Sequence, residues 1–220
     1  METGVADKSK ALAALKTATK YENPFGVYVT GIDRSDEPDS VVLKSRKKTF
    51  SYTGAVMTLP TGVQAVAAAN YGQANEALGY IKKLQQSFSY ALPGSMYEVS
   101  PDFGMVVQAW NIYGVAVPII QSFFGIKPNA MEKQIVISPQ LPADWNEVAI
   151  ENVKVGSNSL SIKINRNADY DEYSLKQTDP AWTLVINTKG AKQVLVNQKE
   201  TTAMDELSLQ EAEHVVRIYW

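Results

Sequence analysis

The chain has 220 residues, 45% of them apolar and 10% aromatic, enough to bury one large core or two smaller ones and too apolar for a disordered polymer. Its 21 Lys and Arg stand against 23 Asp and Glu, so the net charge is -2 and no field draws nucleic acid or an anionic membrane surface; neither is expected as a partner. The absence of cysteine excludes disulfides and thiolate metal sites, and it leaves the compartment open.

Residues 1–20 alternate charged residues with Ala and Leu and show no apolar core of signal-peptide length, and no later run is long enough to span a bilayer. Leu12 and Leu15 in an Ala/Lys background predict a short helix over 6–19, stopped by Asn23-Pro24-Phe25-Gly26. A long irregular connection follows over 21–48, with a brief apolar run at 27–29 and an acidic loop carrying Asp33, Asp36, Glu37 and Asp39. Val56, Leu59, Val63, Val66 and Ala67 recur at helical spacing and predict a helix within 53–71, which Pro60 starts or kinks and Gly72 ends. A second helical face, Ala74, Leu78, Ile81, Leu84 and Phe88, runs on to the break at Pro93-Gly94.

The run 103–124 has no consistently polar face and predicts a helix buried on every side. A few helices cannot enclose one of their own number. Further helices, from a longer polypeptide or a partner chain, are therefore expected around it, with the second domain covering part of it.

After Pro128 the apolar period changes to two. Strands are predicted over 134–138, 148–155 and 160–164, with Gly156-Ser157-Asn158 as a hairpin turn, then shorter ones at 173–176, 182–187, 193–196 and 215–219. Seven or so short antiparallel strands make a β-sandwich. The fold class is thus α+β in two parts, a helical segment over 1–125 and a sandwich over 126–220, divided near 125–129.

The single histidine, His214, has no second His and no Cys to join it, so it reads as an ordinary surface or strand residue, and no metal site is expected on it. No phosphate-cradling glycine motif occurs. Carboxylates, Tyr and Trp remain, which is the chemistry sugars require: carboxyl groups move protons at a glycosidic bond and aromatic faces stack on the ring. They concentrate in 93–110, a polar loop holding Tyr97 and Glu98 before an apolar stretch with Trp110.

Here the sequence resembles the six-hairpin (α/α)6-barrel glycosidases, the glucoamylase, glycogen-debranching and rhamnosidase-like superfamily. The resemblance covers roughly 27–164. Glu98 matches by position the Glu that serves those enzymes as general base in the loop before the last barrel helix, and Gln108-Ala109-Trp110 matches the motif of that helix. Phe124-Gly125-Ile126-Lys127-Pro128, 135–142 and Trp145 look like the passage into the family's C-terminal sandwich. The helical part then corresponds to the last barrel hairpins.

The resemblance implies an inverting glycoside hydrolase acting on oligo- or polysaccharide, of α-glucan-debranching or glucoamylase type, without a cofactor. In such enzymes the general acid lies on an earlier hairpin, and no residue here matches it, so the chain is expected to hold the base half of a site and to be inactive alone. Without the resemblance, Glu98 reads as a carboxylate favoured by the positive end of the next helix. Tyr97 and Trp110 suit the wall of a sugar subsite or an ordinary core. Asp33 suits either a sugar or, with its acidic neighbours, Ca²⁺ or plain solvent. Trp145 and Trp182 read as packing residues. The alternative function is a carbohydrate-binding sandwich with a helical docking segment.

Overall fold

The computed structural model describes residues 1–29, 55–100, 102–202 and 205–220. They form two compact units, Met1–Pro118 and Ile119–Trp220. Asp33, Asp36, Glu37 and Asp39 lie outside the described residues.

The first unit carries helices α1 (Lys8–Ala18), α2 (Thr58–Asn70), α3 (Ala74–Ser87) and α4 (Ala109–Val117), with a small hairpin of strands β1 (Glu22–Asn23) and β2 (Gly26–Val27) after α1. Asp7 caps α1: its Oδ1 accepts from the Ser9 hydroxyl at 2.6 Å and the Lys10 N–H at 3.1 Å, bonds that hold its carboxyl below the usual range. Ala11 and Leu15 of α1 bury against Ala67 and Tyr71. Helix α2 begins at Thr58, later than the periodicity predicts, because Val56–Met57 is drawn into a strand, β3, paired with β4 (Val99–Ser100). Pro60 therefore sits in the first turn, where its absent N–H leaves no bond unmade. Gly72, at φ 76°, ends the helix as expected.

Helices α2 and α4 meet at two glycines. A Cβ on Gly62 would stand 2.7 Å from Gly114 Cα, and one on Gly114 would stand 2.6 Å from Gly62 Cα, so only residues lacking Cβ permit this approach. Helix α3 buries Ala77, Tyr80, Ile81 and Leu84. The expected face is shifted: Leu78 is only half-buried, and Phe88, where the backbone turns extended, is exposed.

The run 103–124 is not one enclosed helix. Helix α4 takes only Ala109–Val117 and passes into a π-helical turn over Pro118–Phe123. Phe103, Met105, Val106, Val107 and Ile112 are between 41% and 63% exposed. The reason is local, since residues 103–106 are bonded across an antiparallel ladder to 96–99 and that backbone cannot also be helical.

The strands of the second unit are β5 Ile126–Asn129, β6 Gln134–Ile137, β7 Glu147–Val155, β8 Asn158–Arg166, β9 Tyr170–Gln177, β10 Thr183–Asn187, β11 Gln193–Val196, β12 Lys199–Thr201, β13 Glu206–Leu209 and β14 Glu213–Tyr219. They form a four-stranded sheet, order β13-β10-β6-β5, and a six-stranded sheet, order β12-β11-β14-β9-β8-β7. All pairings are antiparallel except β10 with β6. Alternation puts Ile135, Ile137, Leu184 and Ile186 of one sheet and Leu160, Ile162, Ile164, Val216 and Ile218 of the other into one apolar core. Each of these side chains contributes about 1.5–3 kcal/mol by leaving water.

Strands β5, β12 and β13 escape the periodicity reading. Strands β5 and β12 lie at sheet edges, where Pro128 and charged residues are tolerated. Gly156 turns the β7–β8 hairpin at φ 60°. A polar pair closes one end of the core: Asn158 Nδ2 donates to Gln177 Oε1 at 2.9 Å, and Gln177 Nε2 donates to the carbonyls of Trp182 and Glu211 at 3.0 and 3.1 Å. His214 is a strand residue, 6% exposed, with both ring nitrogens buried and, among the described residues, unbonded. Trp182 is buried, and Trp145 is half-buried with its ring edge-on to Phe123 at 5.4 Å.

Candidate functional site

The site grows from the segment joining α3 to α4. After α3 the chain turns at Pro93-Gly94, where Ser89 Oγ accepts from the Gly94 N–H at 2.9 Å and Gly94 takes φ 76°. It then runs out and back on itself: the Met96 N–H donates to Val106 O at 3.1 Å, the Glu98 N–H to Met105 O at 2.9 Å, and Val99 and Phe103 exchange bonds of 3.0 and 3.1 Å. This narrow ladder makes Glu98 part of a bonded framework.

Two buried polar residues attach the framework to the helices. Thr58, at the start of α2, donates its N–H to Glu98 O at 3.0 Å. Its hydroxyl donates to Asn111 Oδ1 at 2.6 Å, and Asn111 Nδ2 in turn donates to Met96 O. Thr58 is 2% exposed and Asn111 3%, so each bond is made away from water, where losing it costs about 1–3 kcal/mol. Glu98 is thereby positioned from α2, from α4 and from its own loop.

The Glu98 carboxylate is held through one oxygen. Oε2 accepts from Gln108 Nε2 at 2.9 Å and from the Met105 N–H at 3.3 Å; among the described residues nothing is bonded to Oε1. Gly104, at φ 82°, lies against the side chain, and a Cβ there would come within 2.5 Å of Oε2 and 2.9 Å of Glu98 Cβ. Glycine is thus needed both for the backbone and for the carboxylate's seat. A half-buried carboxylate with one oxygen oriented and the other open can take a proton from a water beside it.

Of the other expected residues, none that is described is bonded to this carboxylate. Tyr97 and Trp110 are both half-buried, and among the described residues neither has a hydrogen bond to Glu98. Trp110 lies in the first turn of α4, its carbonyl against Gly62, and its indole N–H is buried without a partner among the described residues. Asp33 lies outside the described residues. Among the described residues no group of three or more His, Cys, Asp or Glu is arranged to hold a metal ion, and no helix is long and apolar enough to cross a membrane.

Sequence reasoning misses Thr58, Asn111 and Gly104 as parts of the site. Asn111 does carry a signal, as a polar residue within an otherwise apolar helix, but only its contact with Thr58 across 53 positions shows what it does. Beside the ladder, Phe88, Met96, Val107, Ile112 and Val115 line an apolar groove open to solvent.

No family model matches the chain, and no curated protein matches it. Among solved structures, an α-L-rhamnosidase from Dictyoglumus thermophilum is similar, with a TM-score of 0.48 and 10% identity over 72% of this chain and 21% of its own. A protein from the human microbiome assigned as a kojibiose phosphorylase has a TM-score of 0.37 and 15% identity over 70% of this chain and 20% of its own. This chain therefore spans about a fifth of the length of either neighbour.

Proposed function

We propose that the chain is the C-terminal part of an inverting glycoside hydrolase, with Glu98 as its general base. The observation that carries this reading is the Glu98 carboxylate itself: one oxygen oriented by Gln108 and Met105, the other open, in a loop tied to two helices. The resemblance of 93–110 to the loop and last helix of the six-hairpin barrel supports this reading, since it implies a base at the position of Glu98.

In this reading Oε1 takes a proton from a water as the water oxygen bonds to the anomeric carbon and the glycosidic C–O bond breaks. A carboxylic acid about 6.5–9.5 Å away, on the opposite face of the sugar, protonates the leaving oxygen. That acid belongs to barrel helices outside this chain. The exposed apolar side chains of 103–112 and the adjoining groove suit burial against such helices. Tyr97, Trp110 and Asp33 contribute sugar contacts, the substrate is an α-glucan or related oligosaccharide, and the second unit is the family's β-sandwich. Domain limits of 1–125 and 126–220 belong to the same proposal.

The test is Glu98→Gln in the full reading frame that contains this chain, assayed for release of reducing sugar from maltooligosaccharides and rhamnosides. The expected result is a loss of kcat of about 10²–10⁴-fold with the acidic limb of the pH profile removed. Full activity in Glu98→Gln rejects the base assignment.

A second reading, a carbohydrate-binding sandwich with a helical docking segment, is favoured by one observation. Tyr170 and Tyr219, both part-exposed, pair their rings at 5.1 Å on the six-stranded sheet.

A further inference from the structure

On the outward face of the six-stranded sheet, where β9 begins and β14 ends, Tyr170 stands directly opposite Tyr219, their ring centroids 5.1 Å apart and tilted by 40°. Arg217 lies beside them with its guanidinium carbon 5.3 Å from the Tyr170 ring centroid. Its Nε donates to Glu172 Oε2 at 2.6 Å. At the strand end Trp220 is 46% exposed, and its indole N–H donates to Asp171 Oδ2 at 2.9 Å.

Two tyrosines and an ion pair thus gather on the outward face at one corner of a sheet, each restrained before any ligand arrives, while Trp220 is held toward the opposite face by Asp171, whose cross-strand neighbour Ile218 is a core residue. Cross-strand pairing fixes the two tyrosines. Groups already ordered lose little freedom on binding. The polar atoms are only partly used: among the described residues the two terminal amino groups of Arg217 and Glu172 Oε1 have no partner. Donors and an acceptor left free next to aromatic rings match a ligand that has C–H faces and hydroxyls which both donate and accept.

Charge narrows the class further. Arg217 and Glu172 cancel, so an anion attracted by the guanidinium meets the carboxylate, and a cation meets the reverse. A neutral polyol with an apolar face fits where a phosphate or an ammonium does not. We propose that this corner of the sheet binds a neutral pyranose of an oligo- or polysaccharide. The sugar stacks on the aromatic pair while vicinal hydroxyls engage Arg217 and Glu172. The site deepens the second reading above, that of a carbohydrate-binding sandwich, and holds whether or not Glu98 is a catalytic base.

The experiment is affinity electrophoresis of the full chain in gels containing soluble starch, galactomannan or polygalacturonate, with the same chain carrying Tyr170→Ala, Tyr219→Ala, both, or Glu98→Ala. Circular dichroism checks that each variant is folded, and Tyr170→Phe together with Tyr219→Phe, which keeps both rings, serves should the alanine variants unfold. The expected result is retardation by at least one neutral polysaccharide, weakened about tenfold by each Tyr→Ala change and largely kept by the double Phe variant. No retardation by either neutral polymer, or retardation by polygalacturonate alone, overturns the proposal. Retardation that survives the double alanine variant, or that falls with the double Phe variant as far as with alanine, also overturns it. Retardation lost only in Glu98→Ala overturns it too and assigns the binding to Glu98.

Discussion

Replacing Asn158 by Ala tests the polar closure of the two-sheet core. Asn158 is fully buried, and its Oδ1 accepts from the N–H groups of Ser159, Thr178 and Asp179 at 2.9, 3.1 and 3.0 Å. The variant does not orphan all of them. Ser159 N–H keeps the Thr178 hydroxyl at 2.9 Å, and Thr178 N–H keeps Ser159 O at 3.1 Å. What loses its only partner is the Asp179 N–H, half-exposed and open to water, and Gln177 Oε1, on a side chain 2% exposed. At about 1 kcal/mol for the first and about 2 for the second, the loss is about 3 kcal/mol. For a chain of this size that lowers the Tm by about 6–12 °C. Urea denaturation with hydrogen exchange read on the β8 and β9 peptides measures it, with Ser157→Ala, which removes only an exposed bond to Asp179, as the control expected within about 0.5 kcal/mol. A loss below about 1 kcal/mol would refute the reasoning, because the buried amide would then be free to drop its partner at no cost. Asn158→Asp should be at least as damaging, since its second oxygen would face Gln177 Oε1.

Gly114→Ala gains helix propensity but drives a methyl to 2.6 Å from Gly62 Cα and 3.1 Å from Leu84 Cδ1, so a net destabilisation of about 1–3 kcal/mol is expected in a thermal melt; a rise in Tm would contradict it. Gly104→Ala should cost about 1–2 kcal/mol for the left-handed backbone and displace the Glu98 carboxylate, seen by NMR as a shifted Gln108 side-chain amide resonance. Burial, reinforced by Asp171, pushes the Tyr173 hydroxyl above its ordinary 10.0. The folded state then keeps a proton that the unfolded chain releases, so this contribution is full below about pH 10 and is lost as pH rises through the folded value. Tyr173→Phe should therefore flatten the fall in urea midpoint at alkaline pH, and an unchanged slope would assign that fall to other groups.

The site was legible in the sequence only as far as local chemistry reaches. A lone Glu beside a tyrosine, between a Pro-Gly turn and a Gln-Ala-Trp helix start, marks a candidate. Nothing local says that Gly104 seats the carboxylate, or that Thr58 and Asn111 join two helices beneath it. The aromatic corner is likewise silent in the linear order, because Tyr170 and Tyr219 become neighbours only through the register of β9 and β14.

Period and punctuation in the sequence were enough to determine the order of the parts: a helix ended by Gly72, a second that stops at Ser87, short of the expected break at Pro93-Gly94, then a change to alternating strands of which 193–196 falls on its predicted residues. They were not enough for the apolar stretch 103–108, since an unbroken greasy run reads the same whether it is a buried helix or an exposed ladder. Tertiary structure decided that, together with the edge strands β5 and β12, the Gly62–Gly114 crossing and the bonding of Glu98. The physical reason is common to all of them. Periodicity records which side of an element avoids water, whereas these features depend on which other backbone arrives to fill a hydrogen bond or a gap, the neighbouring arm of a hairpin for the ladder and the edge strands and a separate helix for the glycine crossing.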